Sequence, residues 1–166
     1  NALTSLNLSD CRNLESLVCN NNQLTTLDVS GLNKLETLTC FSNDLATLSL
    51  TGCTSMKNLD CSVNPKLSTA DFPRSLTSLN CSSCNFVQIE TTKLPLLNNL
   101  TCDGNQIGAL NLTAQTKLSA INCGNNKIEQ LDFSNCTSLL DVVIAGNPIS
   151  TGIGFDNCKN LRYVSV

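Results

Sequence analysis

Eleven cysteines are the residues best equipped for chemistry in this chain, and Cys81 and Cys84 stand together in a Cys-Ser-Ser-Cys run. That spacing is shared by redox dithiols and by half of a zinc site. A zinc site needs four ligands, and the sequence offers neither a partner pair nor a single histidine. The missing imidazole also removes Ser-His and Cys-His dyads and the commonest general base. Eleven is an odd number and 166 residues is long for a small disulfide scaffold, so the thiols are expected to be reduced. No metal and no cofactor is expected.

The other candidate groups are carboxylates. Ten Lys and Arg are scattered against thirteen Asp and Glu, a net charge of −3, which leaves no basic footprint for nucleic acid. Charged residues make up only 14% of the chain, against roughly 25% in ordinary soluble domains. With 28 Leu and 23 Asn, the pattern suggests leucine inside and amides outside. No apolar run approaches the roughly 20 residues of a membrane-spanning helix, so membrane insertion is not expected. The opening Asn-Ala-Leu-Thr-Ser is neither a signal peptide nor an initiator methionine, as in a processed or excised piece.

What positions these groups is a repeat. Cysteines recur at 19, 40, 61, 81, 102 and 123, at intervals of 21, 21, 20, 21 and 21. Counting from five residues before each cysteine, the first position holds Leu14, Leu35, Met56, Leu76, Leu97, Leu118, Leu139 and Leu161. The fourth holds Leu17, Leu38, Leu59, Leu79, Leu100, Ile121, Val142 and Val164. The ninth reads Asn22, Asn43, Asn64, Cys84, Asn105, Asn126 and Asn147. The units are a half repeat at 1–13, full repeats at 14–34, 35–55, 56–75, 76–96, 97–117, 118–138 and 139–160, and a partial repeat at 161–166. Local departures are a residue gained near Pro65, two lost at Asp71-Phe72-Pro73-Arg74, one gained near Gly152, and polar Thr91 and Gln115 in apolar columns.

The pattern LxxLxCxxNxLxxLDLSxCxx resembles the leucine-rich repeat over the whole chain, and its period and Leu-Asp-Leu half are similar to the bacterial IRREKO-type 21-residue class. The resemblance implies a right-handed solenoid with a curved parallel β-sheet, little helix, and a second short extended segment on the convex side. The residues alone lead to the same place. In Leu97-Asn98-Asn99-Leu100-Thr101-Cys102 apolar and polar residues alternate as in a strand with one wet face. One such strand cannot bury its apolar side, so the repeats must stack, about 4.8 Å apart. Leu131-Asp132-Phe133 and its equivalents are expected to form the second segment.

In that frame the cysteine columns are small inward hydrophobes, since Ile144 and Val166 replace cysteine in the last repeats. Cys11, Cys53, Cys136 and Cys158 follow the same logic, and Cys84 substitutes for asparagine in the ladder. The inward asparagines satisfy turn backbone groups; Asn105→Ala is expected to destabilise by about 1–3 kcal/mol and Leu100→Ala by about 2–5 kcal/mol. Positions three, five and seven face out on the concave side. They present Thr37, Thr39, Phe41, Asn58, Asp60, Asn80, Asn99, Thr101, Asp103, Asn122, Asp141 and Tyr163 as the candidate binding residues. Asp60 and Asp103 fall two strands apart on an open surface, without the pocket that carboxylate catalysis requires. Asp103-Gly104-Asn105 is a poor calcium loop because its asparagine belongs inside.

The expected function is therefore non-enzymatic: a protein-recognition or cell-adhesion module of a bacterial surface or secreted protein, in mature form without its signal peptide. The alternative is the substrate-targeting arm of a larger multidomain enzyme or secreted effector. A protein partner is expected, and end-to-end self-association at the uncapped C-terminal strand is a further expectation.

Overall fold

The computed structural model describes all residues 1–166. Each repeat contributes one three-residue strand to an eight-stranded parallel sheet: β1 (Ser16–Val18), β3 (Thr37–Thr39), β5 (Asn58–Asp60), β6 (Ser78–Asn80), β7 (Asn99–Thr101), β8 (Ala120–Asn122), β9 (Asp141–Val143) and β10 (Tyr163–Ser165), in that order across the sheet. The register follows the fourth column without a slip, Leu17 beside Leu38, then Leu59, Leu79, Leu100, Ile121, Val142 and Val164. A one-residue slip would turn each of these inward residues to water, so burial enforces the register.

Below the sheet lies one continuous apolar core. Leu35, Leu38, Leu76, Leu97 and Leu118 are fully buried, and Leu100 is 1% exposed. Cys40, Cys61, Cys81, Cys102 and Cys123 sit among them at zero exposure as free thiols, so cysteine here is a compact filler between larger aliphatic residues. Cys11 departs from that expectation: it is exposed, because its turn has a packed neighbour on one side only.

The asparagine ladder is built as the physics of buried turns requires. The Asn105 amide oxygen accepts from the Phe86 N–H (3.0 Å), and its NH2 donates to the carbonyls of Cys81 and Cys102 (2.9 Å each). Asn43, Asn64, Asn126 and Asn147 repeat the arrangement, each holding an N–H nineteen residues back and the cysteine-column carbonyls of two turns. The turn preceding each amide needs a left-handed residue: Asn21, Ser42, Val63, Ser83, Gly104, Asn125 and Gly146 all have φ between 50° and 77°. Glycine and asparagine suit that conformation; Val63, at φ 53°, does not.

The convex side is less regular than the repeat led one to expect. β2 (Thr26–Asp28) and β4 (Thr47–Ser49) pair as a two-stranded sheet, and Asp132 bridges Gly154. Between them the second segment is unpaired, and residues Thr91–Lys93 form a 3-10 turn instead. Two residues lost around Pro73 shorten the third turn, and Pro95 in the fourth supplies no N–H to a ladder, but the segment at 108–112, in a repeat of full length, is unpaired as well. The two polar intruders are accommodated: Thr91 donates its hydroxyl to the Asn111 carbonyl, and Gln115 donates to the Thr91 carbonyl at 2.7 Å. The Gln115 Oε1 stays without a partner.

Candidate protein-interaction face

All twelve candidate residues fall on one face. Thr37 and Thr39 come from β3, Asn58 and Asp60 from β5, Asn80 from β6, Asn99 and Thr101 from β7, Asn122 from β8, Asp141 from β9 and Tyr163 from β10, with Phe41 and Asp103 just past β3 and β7. Parallel register sets Thr37 beside Asn58, then Thr39, Asp60, Asn80, Thr101 and Asn122 in one row, and Asp141 beside Tyr163. Phe41 and Tyr163 are not brought together. They belong to the second and last strands, six rungs or about 29 Å apart along the stack.

The polar centre of this face is prearranged. Asp60 accepts from both the N–H (3.0 Å) and the hydroxyl (2.6 Å) of Ser62. Asn80 accepts from Ser82 in the same way and reaches the Ser62 hydroxyl at 3.4 Å. Asn122 accepts from the Gly124 N–H and donates to Asp103 at 3.2 Å. These side chains thus close the turn that ends each strand while keeping one edge toward solvent. Ser62, Ser82 and Gly124 were not among the candidates, yet Asp60-Cys-Ser62, Asn80-Cys-Ser82 and Asn122-Cys-Gly124 carry the two-residue spacing of an Asx turn in plain sight. Gly124 has a second constraint, since a Cβ there would lie 2.9 Å from the Ala145 carbonyl oxygen.

The thiol pair has the wrong electrostatics for catalysis. Burial pushes the Cys84 thiol up to about 11 and Cys81 well above the ordinary range, the reverse of a nucleophilic dithiol. Cys84 instead acts as a ladder residue, its thiol donating to the Cys61 carbonyl at 3.3 Å. It does not replace the acceptor half of asparagine. The N–H that such an acceptor would hold, that of Leu67, bonds to the Asn64 carbonyl (2.9 Å), which the extra residue at Pro65 makes reachable. The insertion and the cysteine are thus two halves of one accommodation.

Stacked turns, a single parallel sheet with the asparagine ladder beneath it, and almost no helix decide the architecture. The chain folds as a leucine-rich-repeat solenoid. No family model matches it. Among solved structures it is similar to the functional domain of InlJ from Listeria monocytogenes, described as including a cysteine ladder, with TM-score 0.71, 26% identity, 99% of this chain and 46% of that one. The solenoid of the TLR13–ssRNA13 complex gives TM-score 0.75 at 22% identity over 92% of this chain and 24% of that one. The internalin InlF of L. monocytogenes gives TM-score 0.68 at 21% identity over 92% and 48%. Among curated proteins, a probable inactive serine/threonine-protein kinase of Dictyostelium discoideum is 27% identical over 93 residues, 55% of this chain and 5% of that protein. This leucine-rich-repeat chain spans less than half of each relative.

Proposed function

We propose that this solenoid is a non-enzymatic recognition module that binds a protein through its concave face, as part of a bacterial surface or secreted adhesion protein. The observation that carries the reading is the face itself: an in-register array of outward side chains whose central members are already held in place, so that little conformational entropy remains to be lost on binding. Its carboxylates, Asp60, Asp103 and Asp141, stand without a Lys or Arg at positions three, five or seven, which disfavours a phosphate backbone and favours protein over RNA. Placement outside the cell is supported by the likeness to the Listeria InlJ domain and by low charge with abundant Asn, Ser and Thr. Buried thiols with raised pKa values resist oxidation there.

A targeting arm in a larger multidomain protein is a second reading, favoured by the short related segment within the Dictyostelium kinase-like protein. The test is capture of host-cell surface proteins by the wild-type chain, by Thr101→Arg on the concave face and by Thr25→Arg on the exposed convex side. Loss of a captured protein with the first variant and retention with the second is the expected result; equal capture by both variants overturns the reading.

A further inference from the structure

The convex side holds an unpaired strand edge beside an open groove. β4 bonds to β2 along one edge only. Its other edge faces residues 68–72, no backbone hydrogen bond joins the two, and none of the N–H or C=O groups of 68–72 is bonded within the protein. The shortened third turn is the reason: Phe72 folds in toward Phe86, ring centroids 5.6 Å apart, and the segment before it never reaches the ladder position that would pair with β4. The gap between them is a groove. About 420 Å³ of it is lined by Thr47, Leu48, Thr69 and Ala70, and it continues past Asp71 into about 880 Å³ lined by Leu50, Phe72, Pro73 and Arg74.

On this side of the molecule only the β2–β4 pair and the Asp132–Gly154 bridge are joined by backbone pairing, and β4 is the strand whose free edge borders the groove. Here water must serve, and an incoming extended chain would replace it with ladder hydrogen bonds. The two ends of the groove differ in charge. Glu90 lines the end beside Thr47, Arg74 and Lys93 line the end beyond Leu50, and Asp71 stands where the two meet. Lys93 is held by Glu90, but Arg74 is exposed and makes no ion pair with the protein. A strand running parallel to β4, as every strand pair here does, would set its amino end by Glu90 and its carboxyl end by Arg74. We infer that this groove docks an extended peptide segment of a partner protein, added parallel to β4, with acidic side chains at its C-terminal end. The site is on the opposite side from the concave face and stands independently of the function proposed for it.

The probe is an acetylated, amidated heptapeptide, Thr-Val-Thr-Val-Thr-Glu-Glu, titrated into the 15N-labelled 166-residue chain. Three controls accompany it: the reversed sequence, a copy N-methylated at alternate residues, and the chain carrying Arg74→Glu, an exposed residue whose change leaves the fold intact. Expected are saturable amide shifts at Leu48, Leu50 and residues 68–72, binding about five-fold weaker for the reversed peptide and for Arg74→Glu, the scale of one exposed ion pair, and none for the N-methylated copy. Thr101→Arg should leave the titration unchanged, which separates this site from the concave one. Absence of shifts at millimolar peptide, equal binding of the N-methylated copy, or equal binding of the reversed peptide each overturns the inference.

Discussion

The asparagine ladder makes a differential prediction that a general stabilising role would not. Asn64, Asn105 and Asn126 look equivalent in sequence and in burial, at 0%, 3% and 7% exposure. Their hydrogen-bond partners are not equivalent. Removing the Asn126 amide strands the Ile107 N–H, but the Cys102 and Cys123 carbonyls keep Asn105 and Asn147 as donors. Removing Asn64 strands the Leu45 N–H, while Cys40 keeps Asn43 and Cys61 keeps the Cys84 thiol. Removing Asn105 strands two groups. The Phe86 N–H loses its acceptor, and the Cys81 carbonyl loses its sole donor because Cys84, the ladder residue of that turn, donates to Cys61 instead.

At about 1–3 kcal/mol per stranded buried group, Asn126→Ala and Asn64→Ala should each destabilise by about 2 kcal/mol and Asn105→Ala by about 4 kcal/mol. The partner count thus places Asn105 above the about 1–3 kcal/mol that the repeat pattern alone leads one to expect, and Cys84 is the reason. The gap corresponds to about 4–8 °C in melting temperature for a chain of this size. Urea melts followed by far-ultraviolet circular dichroism read it as a difference in midpoint at constant slope. Cys84→Asn alone should destabilise by about 1–3 kcal/mol, since the Leu67 N–H is already bonded and leaves the new buried amide oxygen without a donor. In the Asn105→Ala background its NH2 should take over the Cys81 carbonyl, so the double variant should lose about 2 kcal/mol less than the sum of the two single changes. Equal midpoints for the three alanine variants, or strict additivity in the double variant, would refute the partner-by-partner reasoning.

Other consequences follow from burial and backbone conformation. In the folded chain dithionitrobenzoate should react with Cys11 rapidly and leave the other ten thiols, Cys84 included, silent, because burial shields them; a fast second equivalent would contradict the packing. Their folded pKa values lie above the unfolded value near 9, with Cys84 at about 11 and Cys123 and Cys136 at about 12. The folded state therefore binds more protons above pH 9, so stability is fully present below that pH and falls as pH rises toward 12; urea midpoints that stay level over this range would count against it. Val63→Asn should stabilise by about 0.5–1 kcal/mol by relieving a β-branched residue at φ 53°, and a lowered melting temperature would show that Val63 packs more than its 46% exposure suggests. Gly124→Ala should lower the melting temperature by about 2–4 °C, as the Ala145 carbonyl must give way; an unchanged melt would place the slack in the neighbouring turn.

How much of this was legible in the sequence depended on whether a residue's partner sits at a fixed offset. Leu100 finds Leu79 and Ile121 one period away on either side, and Asn105 finds Phe86 nineteen residues back, so core, strand register and ladder could all be read from columns. The Asx turns at Asp60, Asn80 and Asn122 obey the same rule, each side chain accepting from the N–H two positions on. The convex side resisted for a different reason. Its pairing depends on loop length, and the two residues missing near Pro73 break β4's ladder although Thr69, Ala70 and Asp71 retain ordinary repeat chemistry. Period predicts what each turn buries; departures from the period predict where a turn stops satisfying its neighbour. Pro65 shows the compensated form of such a departure, closing the gap with the Leu67 to Asn64 bond and freeing position 84 from asparagine. The shortening at Asp71-Phe72-Pro73-Arg74 shows the uncompensated form: it leaves the free edge of β4, the last strand of the convex sheet, open to solvent beside a groove, and a strand edge already held in extended geometry is where a second chain has backbone to gain.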